Sequence, residues 1–223
     1  MVRVGPQSRV TGHAFVPVGR GHAPDVPFPV GGVMVLGQDF GIERDLEAAQ
    51  EAGGETDVIP TWREVGKALR DAHVPLDACW RTNYVMGVRR GRASNCKGRS
   101  PGLRGDLRRA CRDLFLQQVR AQRPCALIVL GTYVPAALSA DFPRAFAAWS
   151  GRTFALRDAD DGAAIADADV DCVRIPLAIS IVHPSMRGPN LSKRRYNGRA
   201  GADAERALLL RVNEVVRERW KRP

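Results

Sequence analysis

Long apolar runs are missing from this chain of 223 residues. No segment stays apolar for the roughly 18 residues that a membrane span requires. Met1 to Arg20 also lacks a continuous apolar core of the signal-peptide kind. The chain is therefore expected to be soluble, intracellular and cytoplasmic, with no membrane partner. Glycine fingerprints for nucleotides are missing too: neither GxGxxG nor GxxxxGK with a following Ser or Thr occurs. That argues against an ordinary doubly wound nucleotide-binding enzyme. The five cysteines, Cys79, Cys96, Cys111, Cys125 and Cys172, form no CxxC pair. An odd count without such pairs predicts free thiols, not a disulfide framework. Cys125 and Cys172 lie in apolar, strand-like stretches and are expected in the core.

Positive charge is abundant. Lys and Arg number 34 against 24 Asp and Glu, a formal net charge of +10. Such an excess favours a polyanionic partner, because each phosphate contact releases condensed counterions. The length suits one domain with its own core.

Residues 1–30 are rich in Pro, Gly and Val without helical period, and read as an extended N-terminal arm. Residues 31–223 read as a single domain. Val33-Met34-Val35-Leu36, bounded by glycines, has the continuous apolar character of a buried parallel strand. Ile42 to Asp57 carries six carboxylates and one arginine and reads as exposed. Trp62, Val65 and Leu69 fall at helical spacing. Ala78 to Met86 reads as a strand ending near Thr82-Asn83. Arg81 to Arg112 holds ten basic residues and one acid, Asp106. Its first half reads as a loop. The stretch Asp106 to Gln122 reads as an amphipathic helix with Leu107, Cys111, Leu114, Phe115 and Val119 on one face. Cys125 to Gly131 is a third buried strand, followed by a short helix around Tyr133 to Ser139. Residues 158–171 hold six aspartates and read as a solvated connection. Val173 to Val182 supplies one or two more strands, and Ala202 to Trp220 a closing helix. The alternation predicts an α/β fold with a central, mostly parallel four-stranded sheet sandwiched by helices. Ligands of such sheets bind beyond the carboxyl ends of the strands. There stand Gln38-Asp39, Thr82-Asn83, Gly131-Thr132 and His183-Pro184-Ser185.

From about residue 31 to 220 this order of segments resembles the uracil-DNA glycosylase superfamily. Val33 to Leu36 running into Gly37-Gln38-Asp39 is similar to its first motif. Thr82-Asn83 is similar to the segment that supplies a base-reading asparagine, and Arg123-Pro124 before Leu127 to Gly131 to its central strand. His183-Pro184-Ser185 is similar to its second catalytic motif. The resemblance implies a uracil-DNA glycosylase-like fold and a monofunctional DNA glycosylase, acting as a monomer on DNA without cofactor or metal. It makes Asp39 and His183 catalytic, Gln38, Phe40, Gly41 and Asn83 base-binding, and Ser185, Met186, Arg187, Lys193, Arg194, Arg195, Arg89 and Arg90 DNA-binding. The residue types fit the chemistry. Cleaving an N-glycosidic bond passes through an oxocarbenium-like sugar, which a carboxylate stabilises. The departing base gathers negative charge, which a preplaced donor such as His183 stabilises. An asparagine offers both an acceptor and donors to a base edge. Base flipping costs a few kcal/mol, and Met186 or Arg187 is a candidate wedge side chain.

The chain departs from the family in two respects. Branches with an iron–sulfur cluster need four cysteines; here only Cys111 matches a ligand position, and Gly87 stands at another. Uracil-specific members also follow Gly-Gln-Asp with Pro-Tyr, whose tyrosine rejects 5-substituents. Phe40-Gly41 stands there instead, so a pocket open to a 5-substituted pyrimidine is expected alongside a uracil pocket, with repair or defence against phages with modified DNA as possible roles. The competing reading is a DNA-binding protein on the same scaffold without catalysis.

Overall fold

A computed structural model of the chain describes residues 2–3, 29–39, 41, 60–85, 87–88, 105–151, 153–160 and 162–220. In chain order its elements are β1 (Val2–Arg3), β2 (Val33–Gly37), α1 (Pro60–Asp71), β3 (Cys79–Asn83), β4 (Gly87–Val88), α2 (Gly105–Gln122), β5 (Ala126–Leu130), α3 (Tyr133–Asp141), α4 (Pro143–Phe146), α5 (Phe154–Ala159), β6 (Ala164–Val170), β7 (Val173–Ile181), α6 (Arg187–Leu191), β8 (Arg195–Tyr196), β9 (Arg199–Ala200) and α7 (Gly201–Arg219). The start of the expected N-terminal arm, β1, pairs antiparallel with β4. Residues 4–28 of the arm and the acidic stretch 42–57 lie outside the described residues.

The central sheet runs β3-β2-β5-β7-β6. Its first four strands are parallel, and β6 is antiparallel to β7. Because successive side chains of a strand face opposite ways, β2 sends Val33 and Val35 into one core and Met34 and Leu36 into the other. The first core adds Trp62, Val65 and Leu69 of α1 and Leu208, Leu209 and Val212 of α7. The second adds Phe115 and Val119 of α2, Leu138 of α3, and Phe146 and Trp149. Burial on both faces explains why these strands are apolar without alternation.

The sheet has five strands, not the expected four. The additional one, β6, comes from the aspartate-rich stretch expected to be a solvated connection. Ala168 and Val170 are buried while Asp167 and Asp169 are exposed, so the stretch alternates small apolar with charged residues at period two. That pattern belongs to an antiparallel strand at a sheet edge. Asp171 and Cys172 join β6 to β7 with φ of 54° and 64°, a two-residue hairpin turn. Cys172 is thus exposed on a turn, against the expectation of a core residue, whereas Cys125 is buried.

This arrangement predicts unequal thiol reactivity. Burial pushes the Cys79 thiol up to about 12 and the Cys125 thiol up to about 11, so neither forms much thiolate near neutral pH. Brief treatment of the native protein with N-ethylmaleimide, read by peptide mass spectrometry, should label Cys172 and spare Cys79 and Cys125 until the chain is unfolded. Native labelling of Cys125 at the rate of Cys172 would contradict its burial.

Candidate active site

Parallel strands bring their carboxyl ends to one edge. The register places Gly37 beside Asn83 and Leu130 beside Ile181. The residues that follow therefore meet: Gln38-Asp39 after β2, Gly131-Thr132 after β5, and Val182-His183 after β7. A cleft of about 270 Å³ opens there, and its lining includes Gln38, Asp39, His183, Ser185 and Met186. Five of the residues singled out from the sequence are thus brought together. Thr132, Tyr133, Phe154 and Asn190 complete much of the wall.

The Asp39 carboxylate is held by its own turn. Its Oδ1 accepts the Gly41 N–H at 2.9 Å, and its Oδ2 accepts from Gln38 Nε2 at 3.2 Å. Gly41 has φ of +76°, a conformation that L side chains rarely adopt. The backbone therefore favours glycine at this position, whatever the substrate, and Gly41 is not among the residues lining the cleft.

His183 is oriented by the residues after it. The Ser185 N–H points to Nδ1 at 3.3 Å, and Ser185 Oγ lies 2.8 Å from the same nitrogen. A backbone N–H can only donate, so Nδ1 presents its lone pair and the neutral ring carries its proton on Nε2. The Met186 N–H donates to the His183 carbonyl at 2.8 Å and closes the turn. Gly131 has φ of +78°, and a Cβ added there would stand 3.3 Å from the His183 Cβ. A glycine is needed for the imidazole to sit so close to the end of β5.

A second lobe of about 660 Å³ shares Thr132, Phe154 and Asn190 with the first and extends to Thr153 and Lys193. Phe154, 5% exposed, is the common aromatic wall. The guanidinium carbons of Arg157 and Arg194 lie 4.6 and 4.7 Å from its ring centroid, within cation–π range. Both arginines and Asp158 are buried. Arg157 Nη1 donates to Ser180 Oγ at 2.8 Å, and Ser180 Oγ donates to the Gly131 carbonyl at 3.3 Å. Arg194 Nε lies 3.2 Å from Asp158 Oδ2, which also accepts the Arg195 N–H at 2.7 Å. Burial lowers the Arg157 guanidinium to about 10, lowers that of Arg194, and raises the Asp158 carboxyl above its ordinary range. In each case burial outweighs the ion pairing. The cluster holds Phe154 between its guanidinium groups and ties Ser180 to the end of β5.

Other expected residues stand elsewhere. Asn83 is 2% exposed beside Gly37, and its Oδ1 has no hydrogen-bond partner among the described residues. Arg187, a candidate wedge, is instead ion-paired with Glu205; Met186, at 50% exposed, remains at the rim. Arg194 was expected to meet phosphate but is fully buried against Asp158 and Phe154, so its guanidinium is not presented at the surface. Lys193 and Arg195 are exposed, although Arg195 Nη1 donates to the carbonyls of Ser192 and Arg194 at 2.7 and 2.6 Å. Phe40, Arg89 and Arg90 lie outside the described residues. Among the described residues no helix is long and apolar enough to cross a membrane.

Comparison of the chain with protein-family models gave no match, and comparison with curated proteins gave none either.

Proposed function

We propose that the chain is a monofunctional DNA glycosylase of the uracil-DNA glycosylase type, which hydrolyses the N-glycosidic bond of a flipped-out pyrimidine and leaves an abasic site. The single observation that carries this reading is the meeting of Asp39 and His183, from strands separated by β5, in one cleft at the carboxyl edge of the sheet. As the C1′–N1 bond breaks, the sugar becomes cationic and the base takes the electron pair. Asp39 lies in the role of the carboxylate that stabilises that cation and orients a water, whose oxygen bonds to C1′. His183, with Nδ1 occupied by the Ser185 turn, offers Nε2–H to the oxygen where the departing base gathers charge. Phe154 and Tyr133 offer aromatic surface for the base. The partner is DNA, and the setting is repair or defence against modified DNA. The reading is tested by incubating the protein with duplex and single-stranded oligonucleotides carrying uracil or 5-substituted pyrimidines and scoring abasic sites. Formation of abasic sites at one of these bases supports it.

Phosphate contact has its own prediction. Replacing exposed Lys193 with alanine should reduce the slope of log affinity against log salt by about one unit. Arg194→Met, at a fully buried position, should leave that slope unchanged. A change on Arg194→Met alone would contradict the burial of Arg194, and no change in either variant would put the DNA on another face.

A further inference from the structure

We infer that Glu205 is the positioning residue of the His183 turn, an inference that rests on His183 acting at the reacting base. Glu205 lies on α7, outside the cleft, and is 1% exposed. Its Oε2 accepts the Val182 N–H at 2.8 Å, and its Oε1 accepts from Arg187 Nη1 at 2.5 Å. These two partners bracket His183-Pro184-Ser185-Met186 in the chain. One buried carboxylate therefore grips the polypeptide immediately before the catalytic turn and immediately after it.

The reason for the grip follows from where the sheet ends. Pairing between β5 and β7 finishes at Leu130 and Ile181, with the Gly131 N–H on the Ile181 carbonyl. Val182 is the first residue past that ladder, and its N–H is buried. A buried N–H needs an acceptor, and Glu205 supplies it from the neighbouring helix. A buried carboxylate is costly unless its lone pairs are satisfied and its charge is balanced. Arg187 supplies the balancing charge from the start of α6. The pair therefore fixes the exit of β7 and the entry of α6 to the same point on α7. With both ends fixed, the Ser185 N–H is delivered to His183 Nδ1, and the ring is held in one orientation. It also explains why Arg187 faces inward.

The inference is tested with Glu205→Ala, Glu205→Gln and Arg187→Met, and with Glu214→Ala at an exposed site of the same helix as the control. In Glu205→Ala the single-turnover excision rate should fall about 10–100-fold, the usual loss when an orienting outer partner is removed, while DNA affinity stays within about threefold of the parent. Glu205→Gln keeps an acceptor for the Val182 N–H and should recover most of the rate. Arg187→Met leaves the Val182 contact intact and should lose less than Glu205→Ala. The ring signals of His183 in isotope-edited NMR spectra should move in Glu205→Ala and stay put in Glu214→Ala. That spectrum requires no substrate, so it decides the role of Glu205 even if the protein excises no base. Should Glu205→Ala fail to fold, Arg187→Met decides by the same two readouts, with Glu205→Gln as the near-parental reference. Unmoved His183 signals with an unchanged rate in Glu205→Ala, or in Arg187→Met where Glu205→Ala does not fold, would overturn the inference. So would a loss confined to DNA affinity.

Discussion

Asp39→Asn is expected to lower the single-turnover excision rate about 10²–10³-fold, the range for losing one preorganised electrostatic stabiliser, while DNA affinity changes little. The substitution is almost isosteric. Asparagine keeps an oxygen for the Gly41 N–H, the contact that closes the turn in the parent, so the left-handed glycine and the loop geometry should survive. The other oxygen becomes an amide nitrogen facing Gln38 Nε2, a mismatch that rotation of the half-buried Gln38 amide relieves. What is lost is the charge. A carboxylate that matters only once the sugar is cationic raises the barrier when removed and leaves ground-state binding alone. Rate and affinity are measured separately, by quenched single-turnover assays and by fluorescence anisotropy. An unchanged rate would remove Asp39 from the chemistry. A parallel loss of affinity would make it a binding residue.

Trp149→Ala should have the largest effect on stability. Trp149 is fully buried, stacks on Phe146 with ring centroids 5.1 Å apart, and donates its indole N–H to the Gly162 carbonyl at 2.8 Å. It thus ties the helical segment after α3 to the turn that begins β6. Truncating a buried tryptophan costs about 3–5 kcal/mol through lost transfer energy and the cavity left behind. For a chain of this size that is a fall in Tm of roughly 10 °C. Trp149→Phe keeps a ring against Phe146 and much of the volume, losing the hydrogen bond and the smaller part of the indole, so it should cost clearly less. Because Trp149 does not line the cleft, the folded Trp149→Ala protein at low temperature should excise at close to the parental rate. A Tm within about 2 °C of the parent, where a change of 1 kcal/mol would already register, would show that this core has repacked.

The four parallel strands were legible because burial on both faces demands unbroken apolar runs, and Val33 to Leu36 and Ala126 to Leu130 are such runs. The meeting of Asp39 and His183 was legible because both follow strand ends, which a parallel sheet brings to one edge. The strand β6 was hidden: its fully buried residues are one alanine and one valine, too small to stand out beside the aspartates that alternate with them. Phe154 was not legible as a wall of the cleft. It reaches the edge of β5 from a later helix, and no local pattern in Thr153-Phe154-Ala155 announces that. The run Lys193-Arg194-Arg195 illustrates the limit of composition. Three consecutive basic residues read as one phosphate-facing patch, yet in a turn their side chains diverge. Lys193 stays in solvent, Arg194 enters the core beside Asp158, and Arg195 folds back on backbone carbonyls. Glu205 gave no signal, since its partners lie 23 and 18 positions away in the chain.

The central claim is that the cleft holding Asp39 and His183 breaks a glycosidic bond in DNA. The most direct test is mass spectrometry of the free base released from defined oligonucleotides bearing uracil or a 5-substituted pyrimidine, with Asp39→Asn run beside the parent. The expected result is a free pyrimidine and an equimolar abasic site from the parent, with release strongly reduced in Asp39→Asn. Salt-sensitive DNA binding with no base released from any of these substrates would contradict the claim and leave a DNA-binding protein on this scaffold.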